Sequence, residues 1–418
     1  MIGEIIAIGD ELTSGRILNT NSRYAAGQLF SAGHEIIAMA TISDIRAEIG
    51  AAIKKAIKRS DFVIVTGGLG ATSDDLTNEA VASALQRPPT LHPEILAKIK
   101  EQLPNNPGKE NATLEKLAWL PAGAEVLKPE ARMAGYLLIH DDTPVFFLPG
   151  VPHEMKELLA ERVIPRLALW KEGATRQVLQ KVYKIFGLAE IEINNRLSHL
   201  EKSDPEMRLG YYPVFPEVHL SLTITGEERS RSEQLFNRID KEIQTILGDN
   251  LFGFDDDTME SVIGSLLKGK KKNLAVAESC SGGLIAHRIT KVPGSSAYFT
   301  GGVVAYSNDL KTGLLGVDPV TIDKYGAVSG ETAKAMAIGI RKRSGADIGV
   351  AVTGIAGPDG GTDEKPVGTV FFGLASEKKA IDFCCHFSGD RWKIQEMTAQ
   401  TALNLVRLLL LDKKLTSQ

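Results

Sequence analysis

The chain has 418 residues, 43% hydrophobic and 24% charged, with a formal net charge of −4. That length exceeds what one hydrophobic core accommodates, so several domains are expected, and the ordinary composition excludes a disordered or fibrous chain. The net charge provides no global basic field for gathering phosphodiester backbones, which excludes nucleic acid as the default partner.

The opening MIGEIIAIGDEL enters a strand pattern directly, without the basic and apolar regions of a secretory signal. From there to about residue 170, strand-length apolar runs alternate with 3.6-period segments: IIAIG, a helix through Tyr24 to Phe30, EIIAMATI, a helix carrying Ile49, Ile53 and Ile57, then DFVIVTGG. TNEAVASALQ reads as a helix, GYLLIH and PVFFLPG as strands, and HEMKELLAERVIPRL as a closing helix whose end Pro165 disturbs. This alternation predicts a parallel sheet flanked by helices.

Three corners of that sheet carry acids and glycines. GDELTSGRILNTNS places Asp10 and Glu11 after the first strand, TGGLGATSDDLT places Gly67, Gly68, Gly70, Asp74 and Asp75 after DFVIV, and LPGVPHEM adds Glu154. Glycines permit close approach of a phosphate, and paired carboxylates can hold a divalent cation or simply solvate a turn. Asp75 reads as a cap and Asp74 as a metal ligand.

Residues 171–253 read as a small α+β domain, with strand VLQKVYKIFG, helix AEIEINNRLSHL, extended GYYPVFPEVHLSLTIT and helix SEQLFNRIDKEIQTIL. DNLFGFDDD and the lysine-rich end of TMESVIGSLLKGKKKN read as a solvated junction. A second α/β domain, 254–418, follows with NLAVAES, LIAHRITKV, GGVVAYS, GETAKAMAIGIRKRS, DIGVAVTG, GTVFFGLA, IDFCCHF and a final helix from about 390 to 411. The fold class expected is therefore α/β: two α/β domains with mainly parallel sheets flanked by helices, joined by a small α+β middle domain.

In this last domain AESCSGG opens a helix after a strand, a turn whose backbone N–H groups can meet an anionic oxygen. PGSSAYFTGGVVAYSNDLK brings Ser296, Tyr306 and Lys311 within sixteen positions. A serine hydroxyl needs a neighbour to take its proton, and a lysine amine or a tyrosinate of lowered pKa can do so. Thr353, in the Gly-rich stretch TGIAGPDGG, is a donor for a carbonyl or phosphate, and Arg391 offers bidentate contact to a phosphate. Taken singly, each is equally at home as a turn serine, a buried tyrosine or a surface cation. Cys280, at a helix start where a thiolate is favoured, is a rival nucleophile.

The ordered strings AESCSGG, GSSAYFTGGVVAYSNDLK, GAVSGETAKAMA, AVTGIAGPDGG and GTVFFG together resemble the C-terminal domain of the CinA (competence/damage-inducible protein) family. The resemblance implies a nicotinamide mononucleotide deamidase with a serine nucleophile. Carried over, it makes Ser296 the nucleophile, Lys311 and Tyr306 its activating partners, and Ser279, Gly282, Gly283, Thr353, Gly354 and Arg391 the substrate-binding set. No cofactor is implied for that reaction.

The three acidic corners and LGYYPVFPEVHLSLT resemble the rest of the same family, whose N-terminal domain has a molybdopterin-binding fold. This implies a metal-dependent ADP-ribose pyrophosphatase with Gly67, Gly68 and Gly70 at the nucleotide and Asp10, Asp44, Asp74 and Glu154 at a divalent cation. Two segments depart from the family pattern: TISDI keeps Asp44 but has Ser43 and Ile45 for Gly and Asn, and KPEARMAG, 128–135, has Ala131, Arg132 and Ala134 for Gly, Thr and Pro. The alternative is a non-catalytic pterin- or nucleotide-binding scaffold that acts through protein partners.

The expected partners are small nucleotides, nicotinamide mononucleotide and ADP-ribose, with no nucleic acid and no membrane; LVRLLLL at 405–411 is too short to span a bilayer and carries Arg407. The family resemblance adds a homodimer. The odd set Cys280, Cys384 and Cys385 lacks metal-like spacing and suits a reducing compartment, so the cytoplasm is the expected location.

Overall fold

The computed structural model describes residues 1–102, 114–129, 135–170, 177–201 and 203–415. Two compact units emerge, one from Met1–Gln180 with Ile224–Phe236, the other from Lys181–Thr223 with Asn237–Gln418.

In the N-terminal part, β1 (Ile2–Ile8) leads through a short helix α1 (Asp10–Thr13) into α2 (Thr20–Ser31), which Asn19 caps by accepting from the Ser22 amide. β2 (Glu35–Ile42), α3 (Arg46–Ile57), β3 (Phe62–Thr66) and α4 (Thr77–Ala84) continue the alternation. A small antiparallel ladder of β4 (Pro89–Leu91) and β5 (Trp119–Pro121) brackets α5 (Pro93–Gln102); none of the three was expected from the sequence pattern. β6 (Glu125–Val126), β7 (Tyr136–His140) and β8 (Thr143–Leu148) complete a sheet of order β2-β1-β3-β8-β7-β6 among the described residues.

The β2 to β8 pairings are parallel and the last two antiparallel. Asp141 and Asp142, both at positive φ, turn β7 directly into β8, and so short a link cannot make the crossover that parallel neighbours need. Alternate residues bury on opposite faces, Ile6, Val63 and Phe147 on one and Ile5, Ile64 and Phe146 on the other, because helices cover both. The closing helix runs from α6 (Pro152–Leu158) through a π turn, Leu159–Val163, into α7 (Ile164–Trp170). Pro165 lacks an N–H and its ring crowds the carbonyl four residues back, so the wide turn falls where the sequence disturbs the helix.

The middle sheet has the order β10-β11-β9-β12, from β9 (Gln177–Ile185), β10 (Met207–Val214), β11 (Glu217–Gly226) and β12 (Leu251–Phe254), with α8 (Glu190–Leu197) and α9 (Arg229–Leu247). Here one expectation is corrected. DNLFGFDDD is not a solvated junction: its apolar residues form β12, antiparallel to β9, with Phe252 buried.

The C-terminal part comprises α10 (Met259–Lys270), β13 (Leu274–Glu278), α11 (Leu284–Thr290), β14 (Phe299–Val304), α12 (Asn308–Leu315), α13 (Pro319–Tyr325), α14 (Gly330–Ser344), β15 (Ile348–Gly354), β16 (Thr369–Ala375), β17 (Ala380–His386) and α15 (Arg391–Leu410). The sheet order is β14-β13-β15-β16-β17, parallel around β13 and antiparallel beyond β15. α10, α11 and α15 cover one face, α12 to α14 the other. The chain leaves β13 to one side for β14 and returns on its other side for β15, so the carboxyl end of β13 is a topological switch point, where α/β sheets open a crevice. The LVRLLLL run closes α15, with Leu411 as its C-cap, and Arg407, 3% exposed, donates to Asn404 and to the carbonyls of Leu251 and Asp249. Among the described residues no helix is long and apolar enough to cross a membrane.

Candidate functional site

β13 is buried throughout and ends in Glu278, followed by Ser279. Glu278, 1% exposed, turns its carboxylate back on the turn that follows: it accepts from the Ser281 hydroxyl (2.7 Å) and from the amides of Gly283 (3.0 Å), Ile285 (3.0 Å) and Ala286 (2.8 Å). Gly282 and Gly283, at φ 64° and 99°, supply the left-handed backbone that makes this reversal possible. The expectation that these glycines offer their N–H groups to a ligand is therefore corrected. The positive end of α11 already holds an anion, the chain's own carboxylate, and Gly282 donates to the Ser279 carbonyl. The amides of Cys280 and Ser281 are not used by this anchoring and point to the Cys280 sulfur.

Lys311 arrives from α12 and is 2% exposed. Its Nζ lies 3.2 Å from Ser279 Oγ, 2.9 Å from the Ala305 carbonyl and 3.2 Å from the Tyr306 carbonyl. Burial lowers its pKa from the usual lysine value, opposed weakly by Cys280. As an ammonium it satisfies all three contacts by donation; as a neutral amine it keeps N–H bonds to the two carbonyls and turns its lone pair to the Ser279 hydroxyl. Ser279, 8% exposed, is fixed by its own amide, which donates to the Val352 carbonyl (3.1 Å).

Around this pair, Arg391 at the start of α15 donates to the Gly357 carbonyl (2.7 Å) and to the Tyr306 hydroxyl (3.3 Å), and Tyr306 is 61% exposed. Gln395, one turn further on, donates to the Cys280 carbonyl (2.9 Å). Thr353 is corrected from ligand donor to structural residue: it is buried and its hydroxyl donates to the Ala327 carbonyl (2.8 Å). Gly354 ends β15 where a Cβ would come within 2.7 Å of the Thr369 carbonyl, so close strand packing accounts for it.

Ser296 is not brought to this place. It lies exposed in a 3-10 turn, Ser295–Ala297, that precedes β14, at the amino edge of the strands. Ser279 follows β13 at the carboxyl edge. β14 and β13 run parallel, Leu274 opposite Phe299 and Glu278 opposite Val304, so a strand of about 15 Å separates the two serines. Cys280 is removed as a rival as well: burial pushes its thiol up to about 12, with the nearby Glu278 charge acting the same way. Sequence reasoning missed Glu278 and Gln395. An acid closing a strand before a helix start was a usable signal for the first; nothing local signals the second.

At the N-terminal corners, Asp10 and Asp44 tie the ends of β1 and β2 together reciprocally, the Asp10 amide donating to Asp44 Oδ2 (2.8 Å) and the Asp44 amide to Asp10 Oδ1 (3.1 Å). Burial raises the Asp44 pKa, and the charges of Asp10, Glu11 and Asp74 add to it. Asp75 accepts from the Thr72 amide (2.9 Å), closing the loop before α4 rather than capping that helix. Gly67 and Gly68 are at φ 104° and 65°, and a Cβ would meet the Ile8 carbonyl at 2.2 Å and Thr77 Oγ1 at 2.2 Å respectively; at Gly70 it would meet Asp75 at 2.3 Å. Asn21 joins the first of the three corners to the third by donating to the Gly150 carbonyl (2.8 Å).

The expected metal set is not assembled. Among the described residues no group of three or more His, Cys, Asp or Glu side chains could hold a metal ion, and Asp10 and Asp44 each use a carboxylate oxygen on the other's amide. Glu154 stands apart at the start of α6, with Oε2 buried and unpartnered. Residues 130–134 of the KPEARMAG turn lie outside the described residues.

Comparison with known proteins divides the chain in the same order. Residues 4–169 match the model of a probable molybdopterin binding domain, 180–253 a damage-inducible protein CinA KH domain and 256–410 a CinA C-terminal domain. A CinA-like protein of Desulfotalea psychrophila is 51% identical over 98% of this chain and 99% of its own length. Another, from Geobacter metallireducens, is 40% identical over 98% and 99%. Among solved structures, a competence/damage inducible protein from Agrobacterium tumefaciens is 39% identical, covering 37% of this chain and 94% of its own, with a TM-score of 0.36.

Proposed function

The chain belongs to the CinA family, and on that premise we propose that its C-terminal domain hydrolyses the carboxamide of nicotinamide mononucleotide to the acid and ammonia, with Ser279 as nucleophile and Lys311 as its base. One observation carries this reading: a buried lysine of lowered pKa whose Nζ lies 3.2 Å from a serine hydroxyl at the carboxyl end of a central strand. Neutral Lys311 takes the Ser279 proton as Oγ attacks the amide carbon. The oxyanion forms beside the amides of Cys280 and Ser281, held in place by the Glu278 anchor. Protonated Lys311 returns the proton to the leaving nitrogen, ammonia departs, and water, deprotonated by the same amine, releases the acid and restores the serine.

Arg391 and Tyr306, joined by a hydrogen bond at the approach to the pair, support an anionic substrate. Hydrolysis is not extended to the N-terminal domain, because among its described residues no acidic cluster fits the metal that a pyrophosphatase would require. The rival reading, a nucleotide-binding scaffold without turnover, leaves the Ser279–Lys311 pair unexplained.

The test is ammonia release from nicotinamide mononucleotide by the purified protein, with and without chelator. Chelator-resistant turnover is expected, reduced on the order of a thousandfold or more in Ser279→Ala and in Lys311→Ala, and retained in Ser296→Ala. Silence of the wild type would favour the scaffold; loss in Ser296→Ala with Ser279→Ala active would reverse the assignment of the nucleophile.

A further inference from the structure

The turn that bears Ser279 is held from two sides, by α11 through the Glu278 anchor and by α15 through the bond from Gln395 to the Cys280 carbonyl. Of these, α15 is gripped directly by the hairpin that joins β10 to β11, and α11 is reached through α15. At its tip the Phe215 ring packs on Trp392 of α15, centroids 5.4 Å apart at 42°; Trp392 adjoins Arg391 and lies one turn before Gln395. At its base Glu217 Oε1 accepts from Gln400 Nε2 (2.9 Å), while Oε2 is held by His219 Nε2 (3.0 Å). Gln400 is fully buried in α15, and its amide oxygen accepts from Arg288 of α11. Arg288 is itself 13% exposed and paired with Glu260. The Gln400 amide is thus satisfied at both ends, and removing Glu217 would leave a buried donor without a partner.

Resting on the amidase reading above, we propose that the β10–β11 hairpin of the middle domain is a positioning element for the nucleophile turn, with Glu217 acting through Gln400 and Arg288, and Phe215 through Trp392. Neither residue touches the reacting atoms. The hairpin sets where α11 and α15 sit, and these set the Ser279 turn against Lys311. The second domain is then a working part of the amidase and not a passenger.

The experiment uses the full-length chain and three variants, Glu217→Ala, Glu217→Gln and Phe215→Ala, with two readouts: kcat and KM for ammonia release from nicotinamide mononucleotide, and hydrogen exchange of the amides of residues 280–286. Glutamine keeps an oxygen to accept from Gln400, so Glu217→Gln should stay near wild type by both. Glu217→Ala and Phe215→Ala should lower kcat roughly three- to tenfold, the range of such indirect couplings, with KM little changed and faster exchange in the turn. The proposal is overturned if Glu217→Gln falls as far as Glu217→Ala, or if Phe215→Ala leaves both kcat and exchange at wild-type values. Phe215→Ala and Glu217→Gln decide the matter even where Glu217→Ala does not fold. A wild type that releases no ammonia sinks the amidase reading alone, since exchange in the turn still reports whether the hairpin controls it.

Discussion

Lys311 must be neutral before it can take a proton from Ser279. Burial disfavours its charged form and moves its pKa below the ordinary lysine value. The amine is the active form, so activity should be lost as pH falls through the depressed pKa and should rise as pH increases. The kcat/KM profile is expected to show a rising limb placed below the ordinary lysine range, absent in Lys311→Arg, whose guanidinium stays protonated and cannot serve as a base. A rising limb unchanged in Lys311→Arg would assign the base elsewhere. Much of this site was legible residue by residue: Ser279, Tyr306, Lys311 and Arg391 were all marked before the fold was known. The resemblance points to Ser296 as nucleophile, and it is strand direction that places Ser279, not Ser296, beside Lys311. A residue that precedes a parallel strand lies at its amino edge, whereas Ser279 follows one, and crevices open where strands end.

The turn between β13 and α11 depends on one side chain. With Glu278 replaced by alanine, the amides of Gly283, Ile285 and Ala286 and the Ser281 hydroxyl, buried or half-buried, lose their acceptor together. Glu278→Ala should cost on the order of 3 kcal/mol or more, because each orphaned buried donor carries a penalty of about 1–3 kcal/mol that entering water only partly relieves. The measurement is the denaturation midpoint at constant slope; a shift worth less than about 1 kcal/mol would mean that the carboxylate is not the anchor. Long elements were readable because their periodicity is strong: EIIAMATI is β2 residue for residue, and the final helix falls at Arg391–Leu410 against an expected 390–411. Short ones were not. β12 is four residues in a polar surround, and its partner β9 lies far back in the chain, so nothing local distinguishes it from a loop.

Two compact units in one chain predict two unfolding events. Calorimetry of Ser279→Ala, which on the amidase reading binds without turnover, should resolve two transitions, of which nicotinamide mononucleotide raises only one. At a ligand concentration a hundredfold above Kd the gain is about 2.7 kcal/mol. A single transition that shifts as a whole would show that the units do not unfold independently, and two transitions that both stay put would argue against binding. At this scale the α/β class and the order of parts were legible, since motifs run along nearly the whole chain. The bond between Glu217 and Gln400 was not, because a pair 183 residues apart leaves no local pattern.

The position of Cys280, directly after the proposed nucleophile Ser279, has a consequence for chemical durability. Peroxides and alkylating agents attack the thiolate, and Cys280 is both shielded from solvent and held as a thiol by its surroundings. Of the other two, Cys385 is buried and Cys384 is exposed on β17 at the far margin of the sheet from β14, its thiol also raised by partial burial. On the amidase reading, with a serine as nucleophile, ammonia release should survive peroxide or alkylating treatment of the purified protein.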